Sequence, residues 1–427
     1  MSIISPRHRK VSLGALNRLR AMGNLTFFKK FDGSTGISAD HSNGSPTATF
    51  TATRSATTPA TYVDANGTIQ LVTTSNIPRF QGGYYDATGF HAQKGLMIER
   101  ASTNMLKDSY FADGTTTYWT ASAGAVVTTT NERPQIYGSG NVLKIVVTGN
   151  NSGMLCAAAN KPSLTSGTVY TITAYLRGTG NVQLYIGGSP AQVSSTITLQ
   201  DSYWAKYSFT FTANRTLAEA FDILDVGDSD PTCYVAAVQI EALPYSTSFI
   251  PTTTAALTRN VENLSYVNSG NRTAATESIF IKWSTERSVS VVGGNGLLLN
   301  SDTKDRYFYI APNTTHTVII YPNGVDSVGS SATENTVKAA NTSYVTAAIL
   351  SSTGNPNATI YNNGSSVGST NTDFTANAWG ANFYVGCNSP SPFAAGNPVD
   401  GIIQEIAIFS DVKSATDVST ITTVINQ

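Results

Sequence analysis

Apolar runs of four to eight residues, punctuated by Gly, Pro, Asn and Asp, recur along most of this chain. TITAYLR (171–177) alternates apolar and polar positions, as a half-buried strand should. Similar runs fall at 141–147, 181–186, 194–199, 207–212, 221–226 and 233–240, separated by turn clusters such as GTGN (178–181) and GGSP (187–190). A second series follows at 278–283, 288–292, 307–310, 317–321, 344–350, 357–361, 381–386 and 402–409. Asn363-Gly364 in that series carries the chemistry of a type I′ hairpin turn. Short strands with regular punctuation predict antiparallel sandwiches. Only two stretches read as helix. One is 11–22, where Leu13, Leu16, Leu19 and Met22 recur every third residue behind a capping Ser12; the other is 417–424. No internal repeat is visible, so the pattern is not that of a solenoid.

The first thirty residues differ from the rest. Arg7, Arg9, Lys10, Arg18, Arg20, Lys29 and Lys30 precede the first acid, Asp32. We read 1–30 as a basic anchoring arm that docks on a larger assembly, against the plainer reading of a frayed tail. The candidate anchoring residues are Arg7, Arg9, Lys10, Arg18 and Arg20. Without aromatic interleaving or a fold signature, these charges do not point to nucleic acid. Residues 31–106 read as a small β-rich module: TATFTAT (47–53) alternates, and DANG (64–67) is a hairpin turn between 61–63 and 68–71. GLMIE (95–99) suits a buried strand at the seam with the next unit. The units that follow are 107–251 and 277–427, joined by a linker, 252–276, that Pro244 and Pro251 make stiff at its start.

Composition supports strands and turns. Charged residues are 12%, well below the usual quarter. A net charge of −1 gives no general pull towards nucleic acid or acidic membranes. Cys156, Cys233 and Cys387 show no metal-binding spacing and read as buried small apolar residues. The expectation is a protein with no membrane span and no ordinary secretory signal.

Candidate chemistry is sparse. His8, His41, His91 and His316 form no metal or nucleophile-base spacing, and no nucleophile elbow, Walker loop or zincin motif occurs. A glycosidase needs two carboxylates about one sugar. FDILDVGDSD supplies Asp222, Asp225, Asp228 and Asp230, which read better as a solvated loop, with Asp225, Asp228 and Asp230 as weak calcium candidates. Asp302 and Asp305 have the same standing. No metal is assigned, and calcium is the one cofactor left open. Among the tryptophans, Trp204 and Trp283 lie in strand patterns and read as core. Trp119 and Trp379 lie among Thr, Ala, Asn and Gly and are the candidate glycan-stacking residues, with core packing as the alternative.

Three resemblances sit on quoted residues. Arg54-Ser55-Ala56, Tyr62-Val63-Asp64 with Gly67, Pro78-Arg79-Phe80, and Gly95-Leu96-Met97-Ile98-Glu99 with Thr103-Asn104-Met105-Leu106 resemble, in order and spacing, a module of tailed-phage virion proteins. The unit with Tyr118-Trp119, YTITAYLR (170–177), WAKYSFTF (204–211) and VQIEA (238–242) resembles a carbohydrate-binding-module jelly roll. The unit with TIYNNG (359–364), FYVGC (383–387) and DGIIQEIAIF (400–409) resembles concanavalin A-like, laminin-G-type sandwiches.

The fold expected is therefore all-β: a small N-terminal β-rich module plus two antiparallel β-sandwich (jelly-roll) domains, with a short helical or extended N-terminal arm. The resemblances imply a non-enzymatic structural protein of a tailed-phage virion, held by its arm to capsid or tail proteins. Its sandwiches would bind host surface glycans during adsorption, and it would form a homo-oligomer, a trimer being common in phage fibres. Two alternatives stay open: a polysaccharide depolymerase, and an architectural subunit with no ligand.

Overall fold

The computed structural model of the chain describes residues 6–33, 39–43, 51–54, 59–113, 117–122, 124–138, 140–149, 151–188, 190–227, 230–273, 276–285, 296–301, 307–310, 318–321, 332–334, 336–353, 356–371, 380–386 and 398–427. Within them the molecule is all-β, with antiparallel sheets and two helices, α1 (Pro6–Ala21) and α2 (Ala415–Ile425).

Two sheets build the larger sandwich. The nine-stranded sheet centres on Gly401–Phe409, which pairs on one side with Thr276–Thr285. Its other edge takes two partners in succession: Leu96 to Ile98 against its first residues, and Leu25–Lys30 against its last. The seven-stranded sheet runs Ala332–Glu334, Val318–Tyr321, Tyr307–Ile310, Gly296–Ser301, Asn382–Val385, Asn263–Val267 and Thr51–Thr53. Between them lie Phe27, Leu96, Ile98, Tyr266, Ile281, Trp283, Leu299, Phe383, Ile403 and Ile406, all nearly fully buried. The outer face of the nine-stranded sheet is covered by both helices, through Ala15, Leu16 and Leu19 of α1 and Val418, Ile421 and Ile425 of α2. Ser414 and Asp417 form a capping box at the start of α2, satisfying backbone donors that would otherwise be orphaned.

This arrangement corrects the expected division of the N-terminal part. Residues 25–30 are a sandwich strand, and α1 is packed into the same body, so residues 14–30 are not a free arm. Leu16 and Leu19 carry the reason: an apolar stripe at helical spacing buries itself on the nearest apolar surface, here α2 and the sheet. Arg18 and Arg20 are exposed, and Arg20 Nη2 lies 3.1 Å from His41 Nδ1. The side chains of Arg7, Arg9 and Lys10 lie outside the described residues, as do Cys387, His316, Asp302, Asp305 and the strand expected at 288–292.

Residues 31–106 likewise do not stand as a separate module. The hairpin Arg79–Asp86 with Gly89–Ile98 ends in the sandwich sheet, while Ala60–Val63 with Ile69–Val72 lies on the jelly roll. Strands Ser102–Asn104 and Leu257–Arg259 pair antiparallel where the chain leaves the sandwich and returns. The jelly roll is thus an insertion between two parts of the sandwich, entered and left at one point.

That point is held by buried charge. Arg79 is fully buried; its Nε donates to Glu262 Oε1 at 2.7 Å, Nη2 to Glu99 Oε2 at 2.8 Å, and Nη1 to the Thr61 carbonyl at 2.6 Å. Arg259 Nη1 donates to Ser248 Oγ at 2.9 Å and lies 3.4 Å from Glu99 Oε2. Burial opposes ionisation of Glu99, yet Arg259, Arg79 and hydrogen bonds from Ser248 outweigh it and bring its carboxyl down to about 2. A buried ion of either sign is tolerated only when paired and hydrogen-bonded in this way.

The jelly roll has a five-stranded and a six-stranded sheet. The first runs Ala125–Thr130, Val142–Val147, Thr232–Glu241, Val169–Thr179, Ala205–Thr212; the second runs Gln192–Val193, Asn181–Ile186, Phe221–Asp225, Gly153–Cys156, Trp119–Ala121, with Ile197–Thr198 beside the second strand. Leu143, Ile145, Ile172, Leu176, Leu184, Ile223 and Val235 pack between them.

Candidate functional site

The two outer faces of the jelly roll have different fates. On the five-stranded sheet, Tyr175, Tyr234, Ala236 and Ala237 point outward and are covered by Val63, Ile69, Tyr85 and Phe249. That face is an internal contact. Among the described residues, no such cluster covers the central strands of the six-stranded sheet.

Register and alternation determine what the open face displays. Met154, Cys156, Phe221, Ile223, Leu184 and Ile186 belong to the core, so their neighbours Leu155, Asp222 and Tyr185 point the other way. The pairings Thr120–Leu155, Leu155–Asp222, Asp222–Tyr185 and Tyr185–Val193 place five residues in one row across five strands. Leu224 and Gln183 form a second row beside them. Directly paired residues of this kind have Cβ atoms about 5 Å apart, so the row is continuous. Leu155, Tyr185, Leu224 and Gln183 are half-buried, and Val193 is exposed. The row is a mixed strip: one phenol ring, aliphatic neighbours and a carboxylate at the centre.

The carboxylate is the unusual member. Asp222 is 9% exposed, and its Oδ1 is buried with no hydrogen-bond partner. Burial pushes its carboxyl up to about 7, with Lys161 pulling weakly the other way. Lys161 stands at the end of a short turn anchored by buried Asn160, which donates to the Lys107 carbonyl at 3.1 Å and accepts from the Lys107 N–H at 2.6 Å. A buried polar atom without a partner costs about 1–3 kcal/mol. Such an atom on an open sheet face, beside an aromatic ring, fits a ligand that brings its own hydroxyl donors.

The residues picked from sequence fare differently. Trp119 is 1% exposed, its Nε1 donates to the Asp108 carbonyl at 2.9 Å, and its ring meets Phe111 and Phe221 edge-on. It is a core residue and offers no face to a sugar, which corrects its assignment as a stacking residue. Its Thr neighbour misled because a strand alternates: half-buried Thr120 pairs with outward-facing Leu155, while Trp119, one residue away, faces the core. Trp379 lies outside the described residues. Asp225 is buried on the opposite side of its strand from Asp222, so the two cannot flank one sugar. Asp230 is exposed and has a positive φ of 38°, and Asp228 lies outside the described residues. Among the described residues no three His, Cys, Asp or Glu side chains gather to hold a metal. Cys156 and Cys233 are buried, as expected, and burial raises both thiols, Cys156 to about 11.

Tyr185 and Asp222 were the residues the sequence concealed as a pair. NVQLYI (181–186) alternates, which puts Tyr185 outward, but only strand order brings it beside Asp222, thirty-seven residues away.

Comparison with known proteins agrees with this architecture. Residues 103–223 match the family model described as a carbohydrate binding domain, and residues 260–419 match the concanavalin A-like lectin/glucanases superfamily. No curated protein matches. Among solved structures, the CBM22-1 xylan-binding domain from Paenibacillus barcinonensis is 18% identical, covering 33% of this chain and 96% of its own, with a TM-score of 0.27. The heptameric SAP-like pentraxin from Limulus polyphemus is 11% identical over 35% of this chain and 70% of its own, TM-score 0.27. Domain 4 of an extracellular arabinanase from Geobacillus stearothermophilus is 12% identical over 38% and 73%, TM-score 0.28. The two family matches agree with a jelly roll of carbohydrate-binding-domain type and a sandwich of concanavalin A-like type.

Proposed function

We propose that this protein is a non-enzymatic glycan-binding structural protein of a tailed-phage virion, and that the outer face of the six-stranded sheet is its sugar-binding surface. One observation carries the binding reading: Asp222, buried and unpartnered at Oδ1, sits beside Tyr185 on the open face of a domain that matches a carbohydrate-binding family. The tyrosine ring supplies an apolar face for a sugar ring, and the carboxylate accepts from its hydroxyls. Asp222 is the acidic group at the centre of the strip and repels other carboxylates when ionised, so the strip favours neutral over acidic glycans. A glycan array read with the wild type and with Tyr185→Ala tests this. Retention of neutral glycans, lost in the variant, supports the reading; no retained glycan of any class sinks it.

The virion location rests on the module resemblance carried by Arg54, Tyr62 to Gly67, Pro78 to Phe80 and Gly95 to Leu106. Arg79 and Glu99 of those motifs form the buried junction, which gives the motif a structural purpose: fixing the jelly roll to its carrier. Attachment to the particle would use the exposed basic side of α1, including Arg18, since residues 25–30 are committed to the sheet. Proteomics of purified particles checks location. Absence of the chain from them would contradict it.

A further inference from the structure

At one end of the larger sandwich, three side chains converge that the glycan-binding reading does not use. Lys338 and Glu334 are each 1% exposed, and the lysine Nζ donates to Glu334 Oε1. The same carboxylate oxygen accepts from Asn362 Nδ2 at 3.0 Å. One oxygen therefore holds an amine and a carboxamide together. Asn362 Oδ1 and Glu334 Oε2 are both buried and without hydrogen-bond partners.

The surroundings keep the amine in place. Lys338 follows exposed Val337, so its side chain reaches inward from the surface. Its Nζ lies 4.9 Å from the centre of the Tyr344 ring, and Tyr344 Oη accepts from the Ala339 N–H at 2.9 Å. Tyr344 in turn packs on Trp283. Glu334 belongs to the seven-stranded sheet, while Asn362 ends a strand of the nine-stranded sheet, paired with Thr346. A bond between Lys338 and Asn362 would tie the segment leaving one sheet to the other.

We propose that Lys338 and Asn362 form an intramolecular isopeptide bond after folding, with Glu334 as the proton carrier. Glu334 takes a proton from the ammonium, leaving a neutral amine. The amine lone pair attacks Asn362 Cγ, and the carbonyl π electrons move to Oδ1. Glu334 passes its proton to Nδ2 and accepts the second proton of the attacking nitrogen. The Cγ–Nδ2 bond breaks, the carbonyl re-forms, and ammonia leaves. A primary amine and a primary amide become a secondary amide plus ammonia, and no oxidant or co-reactant is required. Burial lowers the Lys338 pKa against the opposing pull of Glu334, which favours the neutral amine the attack needs.

Intact-mass spectrometry of the full folded chain, followed by peptide mapping, tests this. The expected result is a mass lower than the sequence mass by one ammonia, no tryptic cleavage after Lys338, and a branched peptide joining Lys338 to Asn362. Glu334→Gln and Asn362→Ala should both show linear peptides, with a lower melting temperature than the wild type. A wild-type chain with linear peptides only overturns the proposal, whether its mass is full or is short by an ammonia through succinimide formation at Asn363-Gly364. The wild-type measurement decides the matter even if a variant fails to fold, and it is independent of glycan binding.

Discussion

Arg100 and Asp400, three hundred positions apart, are bound twice: the Arg100 N–H donates to Oδ1 at 2.8 Å, and its Nε donates to Oδ2 at 2.6 Å. Tyr245 Oη donates to the same Oδ2 at 2.8 Å. The chain leaving the sandwich, the chain leaving the jelly roll and the start of the central strand are therefore tied at one carboxylate. Asp400→Ala removes the acceptor shared by a half-buried guanidinium and a buried phenol, a loss of about 3 kcal/mol. Chemical denaturation should show it, with Asp400→Asn milder because Asn also tolerates the positive φ of 50° found there.

Glu99 predicts the acid behaviour of the junction. Its folded carboxyl lies near 2, below the ordinary value near 4.5. A depressed carboxyl gives stability that is present above pH 4.5 and is lost as pH falls towards 2. Glu99→Gln should therefore be less stable than the wild type at pH 7, with the gap closing across that window. Urea titrations at stepped pH check it.

Asp222 has the opposite sign. Its folded carboxyl lies near 7, raised by burial from about 4 unfolded. Its ionisation costs nothing below pH 4, and that cost accumulates as pH rises from 4 to 7 and is complete above it. Asp222→Asn should melt higher than the wild type at pH 8, match it near pH 4, and bind glycan more weakly. A variant that gains stability while losing ligand is the mark of a polar group kept for binding.

Trp119 and Leu19 test the two placements that differ from the sequence reading. Trp119→Ala should cost about 3–5 kcal/mol by emptying the jelly-roll core. Trp119→Phe should fold and keep its glycan affinity. Leu19→Ala should cost about 2–4 kcal/mol and lower the unfolding temperature of the sandwich, since α1 is part of that body. A free arm would show no change by calorimetry.

Strand positions were legible because alternation is local: the 307–310 run and the Asn363-Gly364 hairpin lie where the pattern put them. Both turn residues have positive φ, 48° and 86°, the conformation that Asn and Gly tolerate. Topology was not legible. Nothing near Leu25–Lys30 announces a partner at Glu405 to Phe409, and the insertion of the jelly roll depends on pairing between residues 102–104 and 257–259. The binding strip was hidden for the same reason. A tryptophan count finds aromatic rings but not which side of a sheet they face, and Tyr185 became informative only beside Asp222.

The most direct measurement is isothermal titration of the best neutral glycan from the array into wild type, Tyr185→Ala and Trp119→Phe. The account predicts at least about tenfold weaker binding for the Tyr185 variant, roughly 1.4 kcal/mol, and unchanged binding for the Trp119 variant. Equal affinity in wild type and Tyr185→Ala would show that the open face of the six-stranded sheet is not where the sugar sits.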